Sequence, residues 1–317
     1  MSPLHPPPDV DGRQPQPRFL ESIVNYLHGW RFDTSGVLGC FAAMYLGWIL
    51  LADPNMLSLR LGDAAHALCS ASCLVIAIFL INDAADRDID RIVHPDRPIP
   101  RGVADWRHVY AAGLGLLAIS AGLAAPLGTA FLATVATTIM LVLLYYMRLK
   151  RHPPLPCASE LIAPLISALF PLSAFALASA PRADLLIAVA GFIYVADFAQ
   201  DLLGGIHDEA GDRRFNVRTF AVTFGATVTA RLSAAAFALS LVAAIVLWWR
   251  ADLGWIFAAT VVTLGLVMLR AYHAVLTAHD APTLRSRAGH ANHLGGVYYF
   301  VVSASLLPDE MMRRWLA

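Results

Sequence analysis

Long apolar runs alternate along the chain with short segments that hold most of its charge. A helix that crosses a bilayer needs about 20 mostly apolar residues. Nine runs come near that length: 35–52, 64–82, 107–125, 127–146, 159–179, 184–203, 229–249, 253–270 and 294–308. They predict an all-α membrane protein, a bundle of nine transmembrane helices. The last run is short and ends at Pro308. No long polar insertion interrupts the series, so residues 31–317 are expected to form one membrane domain. Residues 1–30 differ: six prolines fall within the first 17 positions, with no apolar run. This predicts a disordered cytoplasmic tail, not a signal peptide, which needs a basic start followed by an apolar stretch.

Composition strengthens the membrane reading. Hydrophobic residues make up 58% and charged residues 15%, against roughly 25% charged in soluble domains. Mean hydropathy is +0.60. A soluble fold of this length could not hide so much apolar surface. The formal net charge of +0 argues against a nucleic-acid partner. The basic residues are sorted by side: with the N-terminus in the cytoplasm, 18 of the 23 Lys and Arg fall in the tail and in cytoplasmic connections. The positive-inside rule supports that orientation, and in a bacterial cell the site would be the inner membrane. The four cysteines, Cys40, Cys69, Cys73 and Cys157, form no C-x-x-C pair and read as small buried hydrophobes.

Acidic residues gather near two span ends on the cytoplasmic side. Asn82, Asp83, Asp86, Asp88 and Asp90 follow the second run, and Asp208, Glu209 and Asp212 follow the sixth. On a helix Asn82, Asp86 and Asp90 lie at i, i+4 and i+8, and Asp208 and Asp212 at i and i+4, so each set shares a face. Carboxylates stacked this way repel one another. A hard cation with oxygen ligands, Mg²⁺ above all, relieves the repulsion, and two such arrays could face each other across a diphosphate. The alternative is a solvated helix end paired with Arg87 and Arg91. Tyr146, Arg148, Lys150 and Arg151 end the fourth run on the same side and offer donors to a phosphate. His207, His290 and His293 form no H-x-x-x-H or H-E-x-x-H pattern and read as loop or interfacial residues.

Asn82-Asp83-x-x-Asp86-x-x-x-Asp90 is followed by Asp96-Arg97-Pro98-Ile99-Pro100-Arg101-Gly102, then Tyr146-x-x-x-Lys150, then Asp208-x-x-x-Asp212 with Arg218-Thr219 and Gly225 after it. In order, spacing and common membrane side this set resembles the UbiA-type intramembrane prenyltransferases, over roughly residues 30–310. The resemblance implies a central cavity open to the bilayer and an allylic prenyl diphosphate as donor. It implies Mg²⁺ held by Asn82, Asp86, Asp90, Asp208 and Asp212, with Asp86, Asp90, Asp208, Asp212 and Lys150 as the catalytic set. Asp83 would support the first motif. Tyr146, Lys150, Arg148 and Arg31 would contact the donor. Arg101 stands where the family commonly has Ser and adds a cation. Asn216 stands where the family usually has Gly, and Asn tolerates the left-handed backbone that such a turn needs.

Asp201 fits an acid that the family often places near the mouth. Asp197, one turn deeper, is an intramembrane acid, and such residues are functional candidates by default. It either contacts the acceptor and takes its proton or makes a structural hydrogen bond. Glu160, closer to water, is weighed the same way. The short interval from Asp90 to Arg97 resembles the chlorophyll-synthase and geranylgeranylglyceryl-type branches. The acceptor is small and aromatic or a lipid. An electron-rich phenol, quinone or quinolone-like ring is favoured, because such rings attack allylic cations well. A membrane terpene cyclase, acting on the diphosphate alone, is the alternative. A cation transporter would instead scatter its acids deep in several spans.

Overall fold

The computed structural model describes residues 17–29, 34–150, 155–178 and 182–316, and among them every regular element is a helix, with no strand. Thirteen α-helices follow one another: α1 Phe19–His28, α2 Thr34–Ala52, α3 Met56–Leu59, α4 Leu61–Val93, α5 Trp106–Ala124, α6 Thr129–Leu144, α7 Ala158–Phe175, α8 Ala183–Arg214, α9 Phe220–Phe224, α10 Ala226–Arg250, α11 Trp255–Leu276, α12 Ala281–Ala304 and α13 Leu306–Leu316. Helices α4, α5, α6, α7, α8, α10 and α11 are long and apolar enough to cross a membrane. The protein is therefore a multi-pass helical membrane protein.

Nine spans were expected, and seven helices among the described residues meet that criterion. The first expected span, α2, contributes a shorter apolar stretch, Leu38–Ala52. The ninth is displaced. The helix expected at 294–308 starts at Ala281 and ends at Ala304. Its first half, with Arg285, Arg287, His290, Asn292 and His293, is too polar to register as a span. Pro308 lies in the first turn of α13 instead, where a missing N–H costs nothing.

The bundle reverses the polarity of a soluble core. On α10 the buried face holds Thr229, Ser233, Ala236, Ser240 and Ala244 beside Phe237 and Leu247, while Leu239, Val242, Ile245 and Trp249 are exposed. With no hydrophobic drive between helices in lipid, small and hydroxyl residues favour the contacts. Ser70 of α4 and Ser120 of α5 each donate to the other's backbone carbonyl at 2.9 Å. Ser233 of α10 donates to the Ala199 carbonyl of α8 at 2.6 Å. Helix α8 lies at the centre, against α7, α10 and α12, with α4 at its far end.

Two features depart from the tail and cysteine expectations. The disordered tail was expected to reach residue 30, yet Phe19–His28 is helical, with Tyr26 fully buried against α4 and α5. The helix directly follows the proline-rich stretch, and that composition masks it in the sequence. Residues 1–16 lie outside the described residues. The cysteines are free, but only Cys157 is buried, and Cys69 is exposed.

Helix α13 fastens the far end of the bundle. Asp309 is buried, and its two carboxylate oxygens accept the backbone N–H groups of Gly254 at 2.6 Å and Phe257 at 3.2 Å, at the start of α11. Asp309→Ala leaves these donors without a partner, and should cost about 2 kcal/mol. A lower melting temperature of the detergent-solubilised protein, with Asp309→Asn recovering part of the loss, checks this.

Candidate active site

Helices α4 and α8 are 33 and 32 residues long, about 50 Å each at 1.5 Å per residue. Either overruns the roughly 30 Å hydrocarbon core, and the overrun carries the acids. Asn82, Asp83, Asp86 and Asp90 end α4, and Asp208, Glu209 and Asp212 end α8. A helix C-terminus is the negative end of the macrodipole, so carboxylates there are destabilised twice, by the dipole and by one another. Such an arrangement requires cations.

The two ends meet because Gly211 allows it. A Cβ on Gly211 would stand 2.8 Å from Val93 Cγ2 and 3.0 Å from Ile89 Cγ2, on α4. The chain then leaves α8 through Asn216, in left-handed backbone at φ 56°, as the sequence predicts. Thr219 follows and caps α9, its hydroxyl oxygen accepting the Val222 N–H at 3.4 Å. Glu160 is occupied structurally: its Oε2 accepts the Phe220 N–H at 2.5 Å and so caps α9.

Two resident cations answer the first motif. Lys150 Nζ donates to Asn82 Oδ1 at 2.9 Å and to Asp86 Oδ2 at 2.5 Å. It arrives there from a π-helical turn, Tyr145–Leu149, in which the Lys150 N–H reaches back five residues to the Tyr145 carbonyl at 2.9 Å. The ammonium also lies 5.6 Å from the Tyr146 ring centroid. Burial works against its charge, but Asp86, with Asp212 and Asp90 nearby, outweighs this and holds Lys150 above the ordinary lysine range. Arg97 donates to Asp90 Oδ2 at 2.6 Å and lies 4.0 Å from Asp83 Oδ1. Tyr26 donates to the other oxygen of Asp83 at 2.8 Å.

Below this mouth lies a cavity of about 540 Å³. Phe41 and Met44 of α2, Val75, Ile78 and Phe79 of α4, and Ile166 and Phe170 of α7 form much of its apolar wall. Tyr146, Asp197 and Asp201 also line it. Ser167 lines it beside Asp197. From α12 come Gly289, Asn292, His293, Gly296, Tyr299 and Phe300, a helical face at intervals of three and four. That face is polar because it borders a cavity rather than lipid.

Of the residues expected from the sequence, Asn82, Asp83, Asp86, Asp90, Lys150 and Asp212 come together, with Asp208 beside His94. Tyr146, Asp197 and Asp201 border the cavity. Arg101 and Arg148 are exposed and do not line it. Arg101 sits on the α4–α5 loop, and Arg148 points outward from the π-helical turn. Arg31 lies outside the described residues. The sequence missed Tyr26, His94 and, in the cavity wall, Gln200 and Asn292, and gave Arg97 no role of its own.

The residues fit Mg²⁺. Asn82, Asp86, Asp90, Asp208 and Asp212 offer side-chain oxygens only, the donor set of a hard divalent cation, and two of the carboxylates already hold a cationic side chain. A helical membrane bundle whose paired acidic helix ends open on an apolar cavity defines an intramembrane site for a polyanion bound through cations. A family model agrees: residues 39–293 match the UbiA prenyltransferase family. The chain belongs to that family.

Curated relatives include a digeranylgeranylglyceryl phosphate synthase of Halobacterium salinarum, 34% identical over 145 residues, 46% of this chain and 51% of the relative. The chain thus spans about half the length of that relative. A synthase of the same name from Ignicoccus hospitalis is 28% identical over 250 residues, 77% of this chain and 79% of the relative. Among solved structures, a UbiA homologue from Aeropyrum pernix K1 matches with TM-score 0.70 at 19% identity, over 87% of this chain and 98% of that one. A homologue from Archaeoglobus fulgidus, bound to GPP and Mg²⁺, matches with TM-score 0.58 at 18% identity, over 88% and 99%. At such identities these structures establish the fold.

Proposed function

We propose that the protein transfers a prenyl chain from an allylic prenyl diphosphate to a carbon of a neutral aromatic acceptor inside the membrane. The observation that carries this reading is the cavity's lining. It joins a cation-seeking acidic mouth to walls of Phe41, Phe79, Phe170, Tyr299 and Phe300, with Asp197 and Asp201 among them. No lysine or arginine occurs among its described lining residues. A phosphate-bearing acceptor would meet Asp197 and Asp201 there, whereas a phenol or quinone-like ring meets aromatic faces and hydrogen-bond partners, with His94, His207 and His293 among them.

Mg²⁺, when bound, would neutralise the diphosphate and stabilise it as a leaving group. Lys150, already within hydrogen-bond reach of Asn82 and Asp86, would turn its donors to the diphosphate oxygens. Arg97 and Tyr26 hold Asp90 and Asp83 in place. The allylic carbon–oxygen bond then breaks, with its electron pair leaving on the diphosphate. The aromatic faces bordering the cavity stabilise the allylic cation and exclude water that would quench it. A ring carbon of the acceptor forms the new carbon–carbon bond, and the proton it sheds goes to the Asp197 carboxylate. The basic residues at the acidic end of the bundle support a cytoplasmic side for this mouth.

Asp197→Asn should lower kcat about 100-fold, the usual range for loss of a general base, with the donor KM unchanged. A purely structural Asp197 would instead show as a loss of thermal stability with kcat intact. The reading as a whole is tested by diphosphate release from detergent-purified protein given geranyl, farnesyl or geranylgeranyl diphosphate. Release should need both Mg²⁺ and a member of an aromatic panel. Release only with a glyceryl phosphate lipid would overturn the aromatic acceptor. Release without any acceptor, yielding hydrocarbon, would make the protein a terpene cyclase.

A further inference from the structure

We propose that His94, His207 and Asp208 form a second metal site, one for a transition ion such as Zn²⁺ or Co²⁺, beside the oxygen-only site of the acidic motifs. His94 is the first residue after α4, and His207 and Asp208 are consecutive on α8. One ligand atom from each lies within 4.8 Å of the others. His94 Nε2 stands 3.5 Å from Asp208 Oδ1, and the two imidazole centroids are 5.6 Å apart.

Two further observations point to a ligand. His207 Nδ1 and Asp208 Oδ1 are buried without a hydrogen bond. Buried polar atoms are nearly always satisfied, and two orphaned atoms on consecutive residues call for a partner such as an ion. Helix α12 has also been kept clear of the cluster: a Cβ on Gly289 would stand 2.6 Å from His207 Nδ1. Any larger residue there would displace the ring.

The donor set decides the class of ion. Two imidazoles and a carboxylate suit Zn²⁺ and its neighbours in the first transition row, with a fourth position left for water. Mg²⁺ prefers oxygen and its own water shell. Bonds of about 2.0–2.1 Å to each nitrogen draw the three atoms closer than they now stand, a contraction within reach of side-chain rotation. Asp208 belongs to both sites, so a transition ion held by the histidines withdraws that carboxylate from the second acidic motif. The two kinds of ion then compete. Motif patterns miss the site because His94 and His207 come from different helices.

The test uses the full chain in detergent, metal-free and without substrate, titrated with Co²⁺ while its visible d–d absorption is read. The expected result is a four-coordinate band that Zn²⁺ abolishes. His94→Gln and His207→Gln should each weaken Co²⁺ binding by about 100-fold or more, whereas Asp86→Ala leaves the band in place. Circular dichroism and size-exclusion profiles confirm that the variants fold. Weak octahedral absorption indifferent to both histidine variants, or a band lost in Asp86→Ala, would overturn the site. This outcome is independent of prenyl transfer, because no donor or acceptor is present.

Discussion

Asp86→Ala and Asp208→Ala should each reduce Mg²⁺-dependent diphosphate release by about 1,000-fold or more while the protein still folds. Asp86 does two things in the site. It holds the Lys150 ammonium at 2.5 Å, and it belongs to the oxygen set that suits Mg²⁺. Its removal leaves Lys150 with Asn82 alone and deprives the leaving diphosphate of countercharge. Charge stabilisation of this kind contributes several kcal/mol to a transition state, and each 1.36 kcal/mol is about tenfold in rate. Folding survives because both motifs end helices at the cavity mouth, where losing one carboxylate relieves repulsion rather than creating a void. Release kinetics and melting curves measured side by side separate the two effects. Near-wild-type turnover in either variant would remove that residue from the site.

Gly211→Leu is the second large effect. The variant should turn over about 100-fold more slowly, with a stability loss of about 1–3 kcal/mol. Its side chain must enter where Val93 and Ile89 of α4 already lie, with the first added carbon 2.8 Å from Val93 Cγ2. The two acidic ends are forced apart, and a misplacement of about 1 Å at a positioned site costs roughly that factor in rate. Gly191→Leu is the control. It is on the same helix, and nothing lies within 4 Å of its added Cβ. Equal activity in the Gly211 and Gly191 variants would show that the approach of α4 and α8 does not set the geometry of the site.

Particular residues show what the sequence could and could not reveal. The acidic motifs were legible because helical spacing puts their members on one face, and their order and spacing resemble a known family. The span series was legible wherever a helix faces lipid on most sides. It failed in the first half of α12, whose polar face borders the cavity, so that hydropathy reads those turns as a loop. Asn292 and His293 were lost with it. Tyr26 was hidden because α1 is short and follows a proline-rich stretch, and its contact with Asp83 joins residues far apart in the chain. Arg101 and Arg148 show the opposite error: a cation near a motif in sequence points away from it in space. The His94–His207 pairing depends on how α4 and α8 meet, which no local pattern encodes.

The π-helical turn at Tyr145–Leu149 has a consequence for how this segment tolerates change. An α-helix advances about 100° per residue, and a π-turn absorbs one extra residue without carrying that rotation onward. The turn therefore acts as a frame shift. It keeps Tyr146 and Lys150 on the cavity side while Met147, 70% exposed, faces outward. Substitution at Met147 or Arg148 changes only an outer surface. An α-helical register imposed on the same residues would carry that rotation onward and swing the ammonium away from Asn82 and Asp86. In this stretch the helical register is held more strictly than the identity of the outward side chains.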